Sequence, residues 1–364
     1  MRKITYSQVG DNYDTKDPIK KIAQAAARST KISQKNFSEV SKTRGESAFV
    51  WKVDKQLFAS VVEGLGTKNL VADETRKITG KTYYDIIGHD TVATIINDLI
   101  TVGAEPRVVH AYWAIEDNGW LSDNKRMDDL IYGWTSACRQ SGATWGGGET
   151  PTLKGIIEKG TIDLGGSAIG IIKNPKQLIT DDKLKEGDRI IFLRSNGINA
   201  NGVSLARAVA KKIKHGYAAK LNSGKIVGEA ILTKTNIYAK LIRELLFAGI
   251  DIHYISNITG HGLRKVMRSR GNFTYVVEKI FPPQEIFLFI QKHANLSDEE
   301  IYGTYNMGQD YAIFIPKKDV EKTQLIIKKN KFESIDAGYI EKGPRQVIIK
   351  PKKITFTGES LDLR

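Results

Sequence analysis

One predicted helix in the first third of the chain carries the residues best suited to chemistry. Five polar side chains fall on one stripe of this helix, opposite an apolar stripe that includes Val92, Ile95 and Leu99: Asp90, Thr94, Asn97, Asp98 and Thr101. No lysine or arginine interrupts this polar stripe, although the chain has a formal charge of +14. Such carboxylate and amide oxygens suit Mg²⁺, which binds one or two carboxylates plus phosphate oxygens. The alternative is a solvated face on which Asp90 is a simple N-cap.

Two glycine-bearing loops lie on either side of that helix in the sequence. Glu63–Lys68 follows the predicted strand Leu57–Val62, and its glycines and lysine could approach a polyphosphate. Its spacing matches neither a Walker A loop nor G-x-G-x-x-G, and taken alone it is better explained as a hairpin turn. Trp145–Pro151 contains three adjacent glycines. Close approach of a ligand or another backbone would explain them, and so would a flexible loop.

Two further segments are predicted to join a strand to the N-terminus of a helix. Ser195–Gly202 follows the strand Arg189–Arg194, and Thr259–Leu263 follows the strand Ile252–Ile255. Backbone N–H groups and the helix dipole make this arrangement an anion site. His261 lies in the second of these segments, but a lone histidine is most often structural or at the surface.

The remaining pattern predicts mixed helices and strands in both halves of the chain. The predicted helices are Pro18–Arg28, Asp90–Val102, Asp128–Ser141, Val203–Ile213, Ile237–Ala248 and Gly262–Arg270. Further strands are predicted at His110–Ile115, Ile162–Ile172, Phe273–Val277 and Tyr311–Ile315. A polar connector from Lys173 to Asp188 suggests a boundary between residues 1–173, with an extension 1–50, and residues 174–364. The prediction is two α/β or α+β units, each with its own sheet.

Composition excludes several classes of protein. The 364 residues are 41% hydrophobic and 26% charged, which is typical of a globular chain. No apolar run is long enough for a membrane helix, and the N-terminus lacks a signal-peptide pattern, so a cytoplasmic location is expected. A single cysteine, Cys138, rules out an internal disulfide and a cysteine-built zinc site. The basic residues are spread along the chain, which favours a solvated surface over a nucleic-acid interface, and nucleic acid is not an expected partner.

Taken in order, these segments resemble aminoimidazole ribonucleotide synthetase, that is, phosphoribosylformylglycinamidine cyclo-ligase. The family's helix D-x-V-A-x-x-x-N-D-L-x-x-x-G-A-E-P is matched by Asp90–Pro106 at every fixed position, and its G-G-E-T loop by Gly147–Thr150. Five other segments are looser matches. Glu63–Lys68 resembles the family's D-G-V-G-T-K, and Ser195–Leu205 resembles its S-S-G-x-H-S-N-G-x-S-L. Ile258–Leu263 resembles its I-T-G-G-G-L, Tyr305–Gly308 its F-N-M-G, and Gly10–Asp14 its N-terminal segment. The resemblance covers nearly the whole chain.

The resemblance implies two α/β domains, a homodimer in which N-terminal sheets form a shared barrel, and ATP with Mg²⁺ at the subunit interface. By motif position, the metal ligands would be Glu63, Asp90, Asp98 and Glu149. The nucleotide would contact Glu63, Gly64, Gly66, Thr67, Lys68, Asp90, Gly148, Glu149 and Thr150. Lys68, Asn97 and Asp98 would serve catalysis, with acidic groups from separate segments meeting around one magnesium-bound triphosphate.

The implied reaction activates a poor leaving group. ATP phosphorylates the formyl amide oxygen of formylglycinamidine ribonucleotide, an amidine nitrogen attacks that carbon, and phosphate leaves as the imidazole ring closes. The protein must mainly position the reactants and neutralise the phosphoryl charge. The ribose phosphate of this phosphoribosyl substrate is expected at one of the two anion loops, through Ser195, Asn196, Gly197, Asn199, Asn201, Thr259 and Gly260.

Several residues depart from the family pattern, mostly on the substrate side. Glu63 replaces an aspartate, and Asn199 and Asn257 fall where the family has histidines. Neither asparagine transfers protons at neutral pH. His261 stands where the family has glycine, and we predict that its imidazole substitutes for the missing pair as a catalytic group.

Other members of the superfamily fit less well. Selenophosphate synthetase needs a reactive cysteine or selenocysteine near its N-terminus, and the hydrogenase-maturation relative ends in a cysteine, whereas this chain ends Leu361–Arg364. Thiamine-phosphate kinase and the larger amidotransferase synthetase fit the second half less well. A divergent enzyme acting on another amide or phosphate substrate, a non-catalytic nucleotide-binding scaffold and a basic RNA-binding protein remain as alternatives.

Overall fold

The computed structural model describes residues 3–5, 7–9, 13–32 and 34–361. The segment Gly10–Asn12, which belongs to the loosest part of the family resemblance, lies outside the described residues. Residues 362–364, which the comparison with the hydrogenase-maturation relative used, also lie outside them. No helix in the described ranges is long and apolar enough to cross a membrane.

The first half of the chain forms a six-stranded sheet in the order β1-β2-β3-β6-β4-β5. Its strands are β1 (Phe37–Glu39), β2 (Phe49–Val53), β3 (Gln56–Gly64), β4 (Glu105–Ile115), β5 (Thr144–Glu149) and β6 (Ile162–Ile172). The edge strand β5 runs parallel to β4, and the other neighbours are antiparallel. Burial alternates along β3 and β6, so one face of this sheet is packed and the other is open.

Four helices accompany this sheet: α1 (Tyr13–Ser29), α2 (Lys68–Thr79), α3 (Tyr84–Leu99) and α4 (Asn124–Ser141). Helix α3 packs on β3 and β6 and against α4, and it is buried along almost its whole length. A helix that is buried on most sides must satisfy its polar side chains within the protein. Polar side chains of α3 form hydrogen bonds with the second half of the chain.

The second half forms a seven-stranded sheet in the order β13-β12-β9-β11-β7-β10-β8. The strands are β7 (Arg189–Arg194), β8 (Tyr254–Asn257), β9 (Phe273–Val277), β10 (Gln309–Ile315), β11 (Ser334–Lys342), β12 (Gln346–Ile349) and β13 (Ile354–Thr357). The helices are α5 (Val203–Lys212), α6 (Val227–Ile231), α7 (Ala239–Phe247), α8 (Glu285–Ala294), α9 (Asp298–Tyr302) and α10 (Val320–Lys329). Strand β10 is buried along its whole length. The expected pair of mixed α/β units, each with its own sheet, is confirmed.

Several predicted elements are confirmed with their ends. Ile162–Ile172, Arg189–Arg194 and Phe273–Val277 are strands with the predicted bounds. Gly103 follows the 3-10 turn Ile100–Val102 that continues α3, and Gly142 follows the end of α4. Their φ values are 81° and 70°, the left-handed conformation that glycine tolerates best. Local sequence therefore fixed these ends.

Other predictions were wrong at their boundaries. Helix α3 begins at Tyr84, so Asp90 is an interior residue and not an N-cap. Helix α1 begins at Tyr13 and contains Pro18, which removes one internal hydrogen bond without ending the helix. The predicted helix Gly262–Arg270 is a 3-10 helix from Gly262 to Met267.

Both glycine segments of the first half differ from their predicted forms. Glu63–Lys68 is not a hairpin turn, because β3 leads directly into α2. Trp145–Glu149 is not a flexible loop but lies in the edge strand β5. A Cβ on Gly148 would collide with the carbonyl oxygen of Ala111, so another backbone, on β4, requires the glycine there.

Candidate functional site

The two halves of the chain enclose a polar space of about 300 Å³, which we call the cleft. Its lining includes charged and polar groups from six segments: Lys20, Glu46, Glu63, Asp98, Asn201, Thr259, Gly260, His261, Lys265 and Arg268. Six of these were predicted as site residues from the sequence: Glu63, Asp98, Asn201, Thr259, Gly260 and His261. The cleft is thus where the predicted residues converge.

Glu63 and Asp98 form a carboxyl pair in the cleft. Glu63 stands near the end of β3, and Asp98 stands in the last turn of α3, which packs on that strand. Burial and, next, the negative charge of Asp98 raise the pKa of Glu63 to about 7, against the opposing charge of Lys265. The amide of Asn257 donates a hydrogen bond of 2.7 Å to Asp98 Oδ1. The pair therefore presents two carboxyl groups at one place, and Asn257 orients one of them.

Two basic residues lie near this carboxyl pair, Lys265 in the 3-10 helix Gly262–Met267 and Arg268 directly after it. Burial, followed by the charge of Arg268, lowers the pKa of Lys265 to about 7. The Nη2 group of Arg268 donates to Gly45 O at 2.9 Å, and its Nε lies 3.6 Å from a carboxylate oxygen of Glu46. Carboxyl oxygens and cationic nitrogens thus share one enclosed space. Such a space can hold a metal ion together with an anionic ligand.

His261 is also part of the cleft and has an unusual backbone. Its φ is 73°, a conformation that costs a non-glycine residue energy, and this explains why glycine is the family's residue here. Its Nε2 lies 3.2 Å from Asp17 Oδ2 of α1. Burial, and then the charge of Lys265, lower the pKa of His261 to about 4. At neutral pH the imidazole is therefore in its neutral form.

The two anion loops meet at one end of the cleft. The amide N–H of Gly260 donates to Asn201 Oδ1 at 3.2 Å, so the two loops are neighbours rather than alternative sites. The rest of the first loop is turned into the second domain. Asn199 Nδ2 donates to Asp310 Oδ1 at 2.5 Å, and Ser195 Oγ donates to Asn306 Oδ1 at 3.1 Å.

Asn196 and Gly197 are likewise engaged within the second half. The amide of Asn196 donates to Asn236 Oδ1 at 2.8 Å, and the carbonyl of Gly197 accepts from Asn306 Nδ2 at 2.9 Å. Of the predicted substrate residues, the structure therefore brings Asn201, Thr259 and Gly260 into the cleft. Ser195, Asn196, Gly197 and Asn199 instead form hydrogen bonds that stabilise the loop to which they belong.

Three predicted site residues form a different structure, which we call the clasp. Lys68 Nζ donates to Asp90 Oδ2 at 2.5 Å and to Thr233 O at 3.0 Å, and both charged side chains are fully buried. Asp90 Oδ1 accepts from the amide of Thr235 at 2.9 Å. Asn97 donates to Asn236 O at 2.7 Å. These contacts join α2 and α3 to residues 233–238 of the second half.

The clasp corrects one expectation from the sequence. The polar stripe of α3 was expected to be free of basic neighbours, but Lys68 neutralises Asp90. The sequence could not show this, because the lysine comes from another helix. The same pair and the carbonyl of Thr233 hold the Lys68 ammonium in its buried position.

The segment Gly64–Thr67 retains features of a phosphate site. Gly64 and Gly66 are exposed at the N-terminus of α2. The buried hydroxyl of Thr67 has no hydrogen-bond partner among the residues that the structure describes. Free N–H groups and a free hydroxyl at a helix N-terminus suit phosphate oxygens.

The expected convergence of four metal ligands does not occur within the single chain. In the described ranges, no group of three or more His, Cys, Asp or Glu side chains is placed to hold a metal ion. Asp90 and Asp98 are eight residues apart on one helix, so about 12 Å separates them along its axis. Glu149 lies exposed on the edge strand β5, next to the equally exposed Gly148 and Thr150. Glu63 and Asp98 are the pair that remains, and Mg²⁺ needs no more than two carboxylates when phosphate and water oxygens complete its shell.

Sequence reasoning missed the cations of the cleft. Lys265 and Arg268 follow the T-G-H-G turn at a spacing of three, which places both on one face of a helical turn. That spacing next to a predicted anion loop was the available signal. Lys20 had no comparable signal, because only the packing of α1 brings it to the cleft.

Both halves of the chain match one protein family. Residues 45–172 match the family described as AIR synthase related protein, N-terminal domain, and residues 185–350 match AIR synthase related protein, C-terminal domain. The chain belongs to this family.

Among named relatives, a phosphoribosylformylglycinamidine cyclo-ligase of Pyrococcus horikoshii is 32% identical over 97% of this chain and 100% of its own length. The fold is similar to that of HypE in a crystal structure of the HypE–HypF complex, with a TM-score of 0.62, 15% identity, and 92% and 98% of the two chains covered. It is also similar to the hydrogenase maturation protein HypE in complex with ATP, with a TM-score of 0.54, 17% identity, and 72% and 75% covered.

Proposed function

We propose that this protein is an ATP-dependent phosphoribosylformylglycinamidine cyclo-ligase of purine biosynthesis, which forms aminoimidazole ribonucleotide, ADP and phosphate. The observation that carries this proposal is that similarity to a cyclo-ligase extends over 97% of the chain while motif residues from both halves line one cleft. In that cleft, Glu63 and Asp98 would hold Mg²⁺, which when bound neutralises charge on the ATP phosphates.

The chain's own residues supply positioning and charge. The N-terminus of α2, with Gly64, Gly66 and Thr67, would receive the nucleotide phosphates. Lys265 and Arg268 would neutralise the anion that the substrate brings, and Thr259 and Gly260, which line the cleft beside them, would border it. In this proposal His261 is the proton-transfer group, since its imidazole is neutral at physiological pH and faces the cleft.

The roles first assigned to Lys68, Asp90 and Asn97 change under this proposal. Their contacts with residues 233–238 support positioning roles, because they hold α3 against the second half and thereby fix Asp98 in the cleft. Glu149, with Gly148 and Thr150, is proposed to meet nucleotide only in a dimer, since it lies exposed on an edge strand of the single chain.

A homodimer is part of the proposal. The open face of the first sheet exposes Val62, Tyr112 and Ile169 at 78%, 41% and 37%, which are high values for apolar side chains. A second copy of the same face would cover them, as in the shared barrel that the family resemblance implies.

Val62→Asp should give a monomer by light scattering, and a dimer that persists in this variant would contradict the assignment of this face.

A cytoplasmic location stays a prediction from the sequence.

The experiment that tests the function measures ADP release by the purified protein. Hydrolysis that starts only when formylglycinamidine ribonucleotide is added supports the cyclo-ligase. The replacement of two family histidines by Asn199 and Asn257 favours a second candidate, an enzyme of the same chemistry acting on another amide. ATP turnover with a different formyl amide and none with formylglycinamidine ribonucleotide would select that candidate.

A further inference from the structure

A larger cavity of about 980 Å³ lies elsewhere at the junction between the two halves. The first half contributes α2, the start of α4 and the turn before β6, and the second half contributes α5 and the 3-10 turn at Tyr217. We call it the junction cavity. It shares no lining residue with the cleft, and its volume is that of a site for a small-molecule ligand.

The lining of the junction cavity is strongly cationic. Six of its side chains are lysine or arginine and three are carboxylates. Within the described part of the chain, no carboxylate lies within ion-pair distance of Lys159, Arg207 or Lys211. Arg207 and Lys211 are four residues apart on α5 and therefore share a face of that helix. The lining has three more basic than acidic side chains, so the cavity retains an excess of positive charge.

Buried polar groups in the same lining have few partners. Tyr217 is only 7% exposed, and its hydroxyl lies close to the Arg207 guanidinium, without a hydrogen bond of good geometry to any residue that the structure describes. Burial raises the pKa of Tyr217, and the nearby Arg207 guanidinium opposes this effect, so the hydroxyl keeps its proton. The guanidinium of Arg126 lies 3.9 Å from the centroid of the Trp120 ring, and its Nε likewise has no partner in the described structure. Buried polar groups are normally paired, so these groups indicate a missing ligand or ordered water.

We propose that the junction cavity binds a phosphorylated small molecule of nucleotide size. Guanidinium groups match the geometry of phosphate oxygens, and lysines add point charges to the same anion. The O–H of Tyr217 would donate to one phosphate oxygen. A ligand that spans both halves stabilises their folded arrangement by mass action. This site lies outside the cyclo-ligase chemistry and does not depend on it.

The test compares two double variants with equal loss of charge. Arg207→Ala with Lys211→Ala removes cations of the cavity, and Lys212→Ala with Lys214→Ala removes two cations of the same region that do not line it. Binding of inorganic pyrophosphate and of ATP is measured by calorimetry with EDTA present, which suppresses metal-dependent binding in the cleft. Hydrogen exchange then maps the protected segments.

The wild-type protein should bind both probes and gain protection at 70–80, 158–161 and 207–217. The cavity variant should lose about tenfold or more in affinity, as expected for charged hydrogen bonds, and the control variant should lose much less. Equal losses in both variants, or protection confined to 259–268, would overturn the proposal. So would an RNA oligonucleotide that binds more tightly than ATP with a steep salt dependence, because it would indicate a nucleic-acid surface. If the cavity variant melts early, Arg207→Gln alone replaces it.

Discussion

The middle and the C-terminal end of α3 meet the second half of the chain in different ways. In the middle of the helix, Asp90 is fully buried and paired with Lys68, and both bond to backbone of residues 233–238. At its C-terminal end, Asp98 borders the cleft beside Glu63 and faces Lys265. Both aspartates belong to one sequence motif on one helix.

The difference teaches that one motif can combine structural and chemical residues. A fully buried ion pair whose oxygens are all engaged has nothing left to offer a ligand, and it fixes the geometry of its surroundings. Carboxyl groups that share a hydrated cleft with cations remain available to a metal ion or to an anion. We therefore expect mutations in the clasp to affect stability and mutations in the cleft to affect turnover.

The largest effect is expected from breaking the clasp. Lys68→Met leaves the Asp90 carboxylate buried without its partner, which should lower the free energy of unfolding by about 3–5 kcal/mol. Urea unfolding measures this change. Lys77→Met is the matched control, since Lys77 forms an exposed pair with Glu74 on the same helix and should change little. If the Lys68→Met protein has normal stability but fails to use ATP, Lys68 has a catalytic role and not the structural role assigned to it here.

A second test separates the two aspartates by activity. Asp98→Asn keeps the shape of the side chain but removes a charge from the cleft, and we expect kcat/KM to fall by about 100-fold or more. The melting temperature should stay close to that of the wild type. Asp90→Asn should show the reverse, with low stability and with activity retained by the folded fraction. If only Asp90→Asn loses turnover, Asp90 and not Asp98 is the residue that serves the reaction.

The third test concerns His261. His261→Gly restores the family's residue and removes the cost of a positive φ, so stability should hold or rise. Activity should fall by about 10-fold to 100-fold if the imidazole transfers a proton, and the pH profile should lose one limb. Lys353→Gly is the control, because Lys353 is an exposed surface residue with a φ of 55°. Full activity in His261→Gly would reject the proton-transfer role.

The smallest effect is expected at His253, which belongs to neither the clasp nor the cleft. Burial would lower the pKa of His253, but its hydrogen bonds with Asp188 and Asp251 outweigh burial and raise it. Protonation of His253 therefore stabilises the fold fully below pH 6.5, and this contribution is lost as pH rises from that value through the raised pKa.

Urea unfolding between pH 6 and pH 9 checks this slope. His253→Asn should flatten the dependence relative to the wild type. His215→Asn is the control, because His215 is exposed and asparagine tolerates its φ of 67°. A slope that survives in His253→Asn would show that another group titrates.

Much of the fold was predictable where one local rule dominated. Alternating or continuous apolar residues predicted Ile162–Ile172 and Arg189–Arg194, and Gly103 and Gly142 marked helix ends. Prediction failed where glycine signals were ambiguous. The glycines of Trp145–Glu149 serve strand pairing, and no local feature distinguishes that use from a ligand loop.

Part of the site was equally predictable. Asp98, His261 and Asn201 were chosen as polar residues in motifs, and all line the cleft. Lys265 was missed because its role arises from carboxylates far away in the chain. The partners of Asp90 were missed for the same reason, since a helical stripe shows which side chains align and not what packs against them.

The amino-acid sequence by itself determined the family, the two mixed α/β units and the identity of the polar groups available for chemistry, because periodicity and motifs are local properties. Only the tertiary structure decided which of those groups share a cavity. Burial and charge pairing act between segments that are distant in the chain. Two aspartates of one motif therefore differ in role according to what the fold places against them: Asp90 is buried and paired with Lys68, and Asp98 lies beside Glu63 in the cleft, available to a ligand.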